Sequence, residues 1–235
     1  MTSETLKVRI ALFREDKSFE IQYLYKKKSK DERPMVLDVL LQAQEEKIDD
    51  LSFRYGCRAR NCGVCTVDIN GKPRLACRAR VKENDLISPI ATLPVVKDLI
   101  VKRDNISRQL VGFNNIPNKN NLNVEAEKNY HNLTACIECY ACLHNCPLHR
   151  LNSLKDTKAR KGFKYGNPFS FLKLQRKYLD PLTPESEKSE LINKAVDLGL
   201  KVCKTCPGCK CGIGINLKED VIMPLLKNSF NKRVD

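Results

Sequence analysis

Tryptophan is absent from this 235-residue sequence, and histidine occurs only three times. Long apolar runs are missing as well: none reaches the roughly 18 to 20 residues that a helix needs to cross a bilayer. The first residues alternate charged and apolar side chains, without the continuous apolar segment of a secretory signal. We therefore expect a soluble chain in a reducing compartment, which contacts a membrane only through its partners.

Positive charge is not concentrated in one place. The formal net charge is +14 at pH 7, yet Lys and Arg occur along the whole chain rather than in one stripe interleaved with aromatic residues. This distribution is typical of a solvated basic surface and does not favour a nucleic-acid partner. No nucleophile beside a base is apparent either, so we expect any chemistry on carbon to belong to another chain.

Cysteine, by contrast, is abundant, with twelve residues. In a reducing compartment, closely spaced cysteines indicate metal ligands rather than a disulfide framework. A zinc-stabilised protein that binds nucleic acid is the alternative from another class, and visible iron-sulfur absorption would exclude it. The cysteines form three sets of four: Cys57, Cys62, Cys65 and Cys77; Cys136, Cys139, Cys142 and Cys146; Cys203, Cys206, Cys209 and Cys211.

The first set has the spacing C-x4-C-x2-C-x11-C, close to that of plant-type ferredoxins, and predicts a 2Fe-2S cluster on all four cysteines. Zinc is less favoured, because zinc ligands usually come as two C-x2-C pairs and this set has one. Gly56 and Gly63 suit a tight loop whose backbone N–H groups point at the sulfurs. Five arginines nearby either raise the cluster potential or are simply exposed: Arg54, Arg58, Arg60, Arg78 and Arg80.

The second set reads C-x2-C-x2-C-x3-C-P, a run typical of bacterial ferredoxins, in which the fourth cysteine binds the other cluster. The third set can complete that exchange. We predict one 4Fe-4S cluster on Cys136, Cys139, Cys142 and Cys211, and a second 4Fe-4S or 3Fe-4S cluster on Cys146, Cys203, Cys206 and Cys209. In the three-iron case, Cys206 or Cys209 would be a spectator.

Local patterns predict the main elements. Alternating apolar residues indicate a β-hairpin over residues 6–25, and helical spacing indicates a helix that opens at Pro34. The pair Asn70-Gly71 predicts the tight turn of a second hairpin. Two further helices are predicted over residues 168–179 and 184–200, whereas Pro224 is expected to interrupt any helix in the tail.

These elements predict an α+β chain of two domains. Residues 1–102 would form a β-grasp 2Fe-2S ferredoxin domain, and residues 131–235 an α-helical bacterial-type ferredoxin domain that holds two clusters. Residues 103–130 are rich in Asn, show no sustained apolar period, and are predicted to be a linker or docking segment.

From about Leu6 to Ile215, the sequence resembles the iron-sulfur subunit of succinate dehydrogenase and fumarate reductase. The similar segments include the Cys57–Cys65 loop, Leu75-Ala76-Cys77, Lys97-Asp98-Leu99 and the run Cys136–Pro147. In that family, the clusters carry electrons between an FAD-containing subunit that interconverts succinate and fumarate and a quinone at the membrane. The resemblance implies a cytoplasmic protein at the inner face of the cell membrane, in a complex with a flavoprotein and a membrane-anchor subunit.

The resemblance also implies which cysteines hold which cluster. The first set carries over to the 2Fe-2S cluster at the flavin end, Cys136, Cys139 and Cys142 to the middle cluster, and Cys146 and Cys203 to the third. The family's third set is C-x5-C-x3-C-P, whereas here Cys206 is additional and Cys211 follows Cys209 after one residue. An added ligand at Cys206 suits a 4Fe-4S third cluster, as in archaeal-type members.

A second departure bears on the partner. Leu148, His149 and Lys204 stand where the family's quinone pocket has Trp and His. This favours an alternative in which a thiol or disulfide replaces the quinone and a cysteine-rich subunit replaces the anchor, as in thiol-linked fumarate reductases and heterodisulfide-type enzymes.

Overall fold

A computed structural model of the chain describes residues 4–113, 124–154 and 162–231. The chain divides into two compact units. Unit 1 contains the residues up to Lys102 together with Ile137–His144, and unit 2 contains Arg103–Cys136 and the residues from Asn145 onward. The α+β class is confirmed, while the predicted domain boundaries stay a prediction. The Asn-rich centre of the predicted linker, residues 114–123, lies outside the described residues.

Unit 1 is built on a five-stranded sheet in the order β2-β1-β5-β3-β4. Its strands are β1 (Thr5–Arg14), β2 (Lys17–Lys26), β3 (Thr66–Ile69), β4 (Lys72–Leu75) and β5 (Leu86–Ser88). All pairs are antiparallel except β1 with β5, which run parallel. A short ribbon of β6 (Val95–Lys97) and β7 (Ile100–Val101) follows.

Both predicted hairpins are confirmed, and the turn of the second shows why it forms. Asn70 and Gly71 have φ of 50° and 74°, the positive values that a two-residue turn requires. The Asn70 amide also contacts its neighbours, since Oδ1 accepts a hydrogen bond of 2.9 Å from the Leu86 N–H. This bond joins the turn to β5. On β2, Phe19 belongs to the alternating apolar residues but is 44% exposed.

The helix α1 (Val36–Glu46) covers one face of this sheet. It begins at Met35, whose N–H donates to the Asp38 carboxylate at 2.9 Å. Val36, Val39 and other apolar residues of α1 are buried in one core with Val8 and β5, as the helical spacing predicts. Each fully buried Val or Leu side chain of this kind stabilises the fold by about 1.5–3 kcal/mol.

Unit 2 is helical within the described residues. Its helices are α2 (Asp104–Arg108), α3 (Lys128–Thr134), α4 (Pro168–Leu179), α5 (Glu185–Asp197) and α6 (Met223–Asn231). The predicted start of α4 is confirmed: Asn167 Oδ1 accepts the Ser170 N–H at 3.0 Å, and the Ser170 hydroxyl accepts the Asn167 N–H at 3.0 Å. None of the helices in the described ranges is both long and apolar enough to cross a membrane.

The prediction that Pro224 interrupts the tail helix is wrong. The chain runs without a break from a π-helical turn, Lys218–Ile222, into α6, with Pro224 as its second residue. A proline in a helix lacks its N–H and its ring clashes with a carbonyl one turn earlier. The wider π turn just before it accommodates both, and the buried Val221 and Leu225 hold the helix against unit 2.

Candidate iron-sulfur sites

The loop of the first cysteine set follows a tightly curved path. Arg58, Arg60 and Gly63 all have left-handed backbones, with φ of 53°, 65° and 65°. This path directs two backbone N–H groups at one sulfur: Cys57 Sγ accepts from Ala59 at 3.4 Å and from Asn61 at 3.2 Å. The predicted N–H donors of the loop are therefore present, and such donors stabilise a thiolate.

The pKa values of the thiols show that this set is brought together. The backbone donors, with a contribution from the Cys62 side chain, lower the pKa of Cys57 to about 7. Burial raises the pKa of Cys65 to about 11, against an opposing backbone hydrogen bond from Cys77 and with repulsion from the Cys77 and Cys62 thiols. Each of the four thiols therefore lies near another of the set; Cys65 and Cys77 are buried, and backbone N–H groups stabilise the thiolate of Cys57. Such a set fits a group of positive iron ions.

All five arginines predicted near this set are exposed. The Arg58 guanidinium lies over the Tyr55 ring, 5.3 Å from its centroid, and the Arg80 guanidinium donates to the Arg33 carbonyl. An effect of these arginines on the cluster potential stays a prediction.

Unit 2 brings together Cys146, Cys203, Cys206 and Cys209, the set predicted for the third cluster. Partial burial, together with repulsion from the other thiols of the set, raises the pKa of both Cys203 and Cys209 to about 12. Burial also raises the pKa of Cys146, opposed by the backbone N–H groups of His149 and Leu148. These thiols would ionise only with compensating positive charge, which bound iron would supply.

A close backbone contact joins the two segments that carry this set. Gly199 has φ of 93°, ends α5 and precedes a 3-10 turn, Leu200–Lys204, that holds Cys203. A Cβ at Gly199 would lie 2.9 Å from Leu148 Cδ1. Glycine is therefore required here both for the left-handed turn and for the packing of Leu148, two residues after Cys146. The positive charge of Lys218 lies near this set and acts to lower the pKa of Cys209.

The residues at the family's quinone positions are engaged in packing. Leu148 and His149 are each 2% exposed, and the His149 ring meets Phe163 edge-on at 5.2 Å. The Lys204 ammonium lies 5.7 Å from the centre of the Phe230 ring.

Asn152, which was not predicted from the sequence, links the segment after Cys146 to the backbone of Tyr165. Its amide donates to the Tyr165 carbonyl at 3.0 Å and accepts the Tyr165 N–H at 2.8 Å. No local pattern identifies this role, because Tyr165 lies on another segment of the chain.

The predicted middle set is divided between the units. Cys139 and Cys142 lie on Ile137–His144 in unit 1, whereas Cys136 and Cys211 belong to unit 2. Their joint ligation stays a prediction. Near the unit 1 pair, the buried Asp68 accepts the Ala91 N–H at 3.0 Å. Burial raises the pKa of Asp68, and the N–H bond and the nearby charge of His144 oppose that shift.

Within residues 4–113, 124–154 and 162–231, no group of three or more His, Cys, Asp or Glu side chains is close enough to hold a single metal ion. Thiolates on one zinc ion at about 2.3 Å would stand only about 4 Å apart. A cluster distributes its thiolates over several irons, so it requires wider spacing.

Residues 7–108 match the family described as a 2Fe-2S iron-sulfur cluster binding domain. Over its whole length, the chain is similar in fold to a chain of the Mycobacterium smegmatis Sdh1 complex in the apo form. The TM-score is 0.80 at 20% identity, with coverage of 100% of this chain and 99% of that one.

Similar curated proteins come from three methanogens. The chain is 29% identical over 201 residues to a fumarate reductase (CoM/CoB) subunit of Methanothermobacter marburgensis, covering 83% of this chain and 38% of that protein. Uncharacterized iron-sulfur proteins of Methanococcus maripaludis and Methanocaldococcus jannaschii are 27% and 29% identical, each over 84% of this chain. The chain spans only about two fifths of these relatives, 38–40% of their length. The predicted resemblance to iron-sulfur subunits of the succinate dehydrogenase and fumarate reductase family is confirmed.

Proposed function

We propose that this chain is the electron-transfer iron-sulfur subunit of a succinate dehydrogenase or fumarate reductase type complex. It would pass electrons between an FAD-containing subunit and a second partner at the inner face of the cell membrane. The observation that carries the proposal is the grouping of thiols. Cys62 lies close enough to affect the ionisation of Cys57 and Cys65, and Cys77 that of Cys65. Cys206 lies close enough to affect the ionisation of Cys146, Cys203 and Cys209.

Each set would hold its cluster through features already described. Iron-sulfur clusters supply reversible one-electron chemistry when bound. The N–H groups of Ala59 and Asn61 would stabilise negative charge on Cys57, so that this ligand is ready to bind iron near neutral pH. The partial burial of Cys203 and Cys209 would limit the access of water to the third site. Cys136, Cys139, Cys142 and Cys211 would hold a 4Fe-4S cluster between the two.

A thiol or disulfide partner is the second candidate. It is supported by similarity to a subunit of a fumarate reductase (CoM/CoB) and by the packing of Leu148 and His149 at the family's quinone positions. An additional cysteine in the third set, Cys206, accompanies these changes. In this candidate, a cysteine-rich subunit takes the place of a membrane anchor.

The test is anaerobic purification of the native complex, followed by flavin analysis, iron analysis and low-temperature EPR. We expect a flavoprotein to co-purify and the complex to act on succinate or fumarate. Full ligation by twelve cysteines predicts about ten irons, from one 2Fe-2S and two 4Fe-4S clusters, and no oxidised three-iron signal. The proposal would be refuted if no flavoprotein co-purified with the chain, or if the complex acted on neither succinate nor fumarate. Reaction with a thiol–disulfide couple rather than a quinone would support the second candidate.

A further inference from the structure

We propose that Gly63 sets the separation between two ligand loops, because its missing side chain lets the backbone of the 2Fe-2S loop touch the backbone at Cys139. The inference rests on the proposed function, since it takes Cys62 and Cys139 as ligands of different clusters. Gly63 would then be a positioning residue for electron transfer between the first two clusters.

The geometry at Gly63 leaves no room for a side chain. A Cβ there would lie 2.1 Å from the Ile137 carbonyl oxygen, 2.9 Å from the Cys139 nitrogen and 3.1 Å from the Cys139 Cα. Real Cβ contacts essentially never fall below 3.0 Å. All three neighbours are backbone atoms, so none can rotate away. Any other residue must push the loops about 1 Å apart, the gap between 2.1 Å and that limit.

The contact involves residues at or next to the two ligands. Gly63 is bonded directly to Cys62, and the atoms that it touches on the other loop belong to Ile137 and to Cys139 itself. No side chain stands between the two backbones at this point. Since electron tunnelling weakens exponentially with distance, a contact of this kind favours transfer between groups held by Cys62 and Cys139.

Both sides of the contact are held in place within unit 1. The Thr66 hydroxyl donates to the Gly63 carbonyl at 2.9 Å, and Thr66 is buried at the start of β3. On the other side, the loop ends at His144, whose charge acts on the buried carboxylate of Asp68. The hydrogen bond from Thr66 therefore fixes the Gly63 side of the contact, and the electrostatic attraction between His144 and Asp68 favours the position of the other loop.

The chain offers a matched control for the substitution Gly63→Ala. Gly71 has a similar left-handed backbone, with φ of 74° against 65°, but a Cβ there would meet nothing within 4 Å. Gly71→Ala therefore introduces the same backbone strain without the close contact. Thr66→Val is a milder second variant, which keeps the shape of the side chain but removes the hydroxyl donor to the Gly63 carbonyl.

The experiment uses the anaerobically purified complex and two readouts. In reduced samples, EPR measures the magnetic interaction between the 2Fe-2S and middle clusters; we expect it to weaken in Gly63→Ala and to stay unchanged in Gly71→Ala. Hydrogen exchange, which needs no cluster, should be several-fold faster in the peptide covering residues 137–144 in Gly63→Ala and unchanged in Gly71→Ala. Thr66→Val should shift both readouts in the same direction by less, and it replaces Gly63→Ala if that variant fails to fold.

The possible results distinguish failure of the inference from failure of the proposed function. Unchanged exchange and unchanged magnetic interaction in Gly63→Ala would overturn the inference, as would equal changes in Gly71→Ala. If the parent complex shows no 2Fe-2S or middle-cluster signal, the proposed function is wrong, while the exchange data still report on the contact. Slower reduction of the middle cluster in Gly63→Ala, with iron content unchanged, would support the inference.

Discussion

Replacing Arg14 with Met should destabilise unit 1 strongly, whereas replacing Asp50, which the same guanidinium contacts, should have little effect. Arg14 Nε lies 3.1 Å from Asp98 Oδ1, and its Nη2 lies 3.4 Å from Oδ2 of the same carboxylate. Nη2 also lies 2.7 Å from Asp50 Oδ1. The difference between the partners is burial: the Asp98 side chain is 0% exposed and the Asp50 side chain 50%.

The magnitude follows from what each substitution leaves behind. Without Arg14, the Asp98 carboxylate stays buried and keeps one donor, the Ser52 N–H at 2.9 Å. An uncompensated buried charge destabilises by about 3–5 kcal/mol. Because the Arg14 side chain is 29% exposed, water reaches the site, and we expect the lower end of that range, about 3 kcal/mol. Loss of the exposed Asp50 pair should be barely measurable, and less so in high salt.

The assay is urea denaturation followed through the visible absorbance of the 2Fe-2S cluster. This readout is suitable because Ser52, which Asp98 holds, leads directly into the loop of Cys57. Arg14→Met should lower the midpoint far more than Asp50→Asn. The double variant Arg14→Met/Asp98→Asn should recover most of the loss, since no buried charge remains. Equal shifts for Arg14→Met and Asp50→Asn, or no recovery in the double variant, would refute the reasoning.

Three further predictions concern the sites. Cys206→Ser should lower the iron content from about ten to about nine atoms and produce an oxidised three-iron EPR signal, whereas Cys211→Ser should remove the middle-cluster signal instead. Lys218→Met removes the charge that lowers the pKa of Cys209, so a redox titration should show a lower potential for the third cluster alone. Asp68→Asn should stabilise the chain at neutral pH. Burial raises the Asp68 pKa above 3.8, so the folded parent binds the proton more tightly and loses stability as pH rises through that window. A gap between the denaturation midpoints of parent and variant that does not widen from acid to neutral pH would contradict this.

The elements that the sequence predicts well are those governed by neighbouring residues. The turn at Asn70-Gly71 depends on two residues that tolerate positive φ, and the start of α4 depends on Asn167 and Ser170, three positions apart. The grouping of Cys146 with Cys203 likewise follows from the known exchange of ligands in the C-x2-C-x2-C-x3-C-P run. In each case, the signal and the structure lie close together in the chain or follow a recurring ligand pattern.

What the sequence does not reveal depends on partners far along the chain. No local pattern marks Asp98 as a buried residue, yet its side chain is fully buried and is bound by Arg14, which lies on a strand 84 positions earlier. Gly63 suits a tight loop in the sequence, but its closest neighbours are Ile137 and Cys139. The course of the chain at Pro224 is set by packing of the tail helix, which overrides the local preference of proline.

The same long-range packing bears on the choice between quinone and thiol. Leu148 packs closely against the backbone of Gly199, since a Cβ at Gly199 would lie 2.9 Å from Leu148 Cδ1. His149 is enclosed by Phe163 and lies 3.5 Å from the Asn152 amide, so its ring faces the protein interior. Restoring a family-type aromatic pocket would therefore require changes at several positions at once. The extra thiol of Cys206 stands in the same site, within electrostatic reach of Cys146, Cys203 and Cys209. The departures from the family at Leu148 and His149 and the additional Cys206 therefore concern one site, which is the support for the proposed thiol-linked partner.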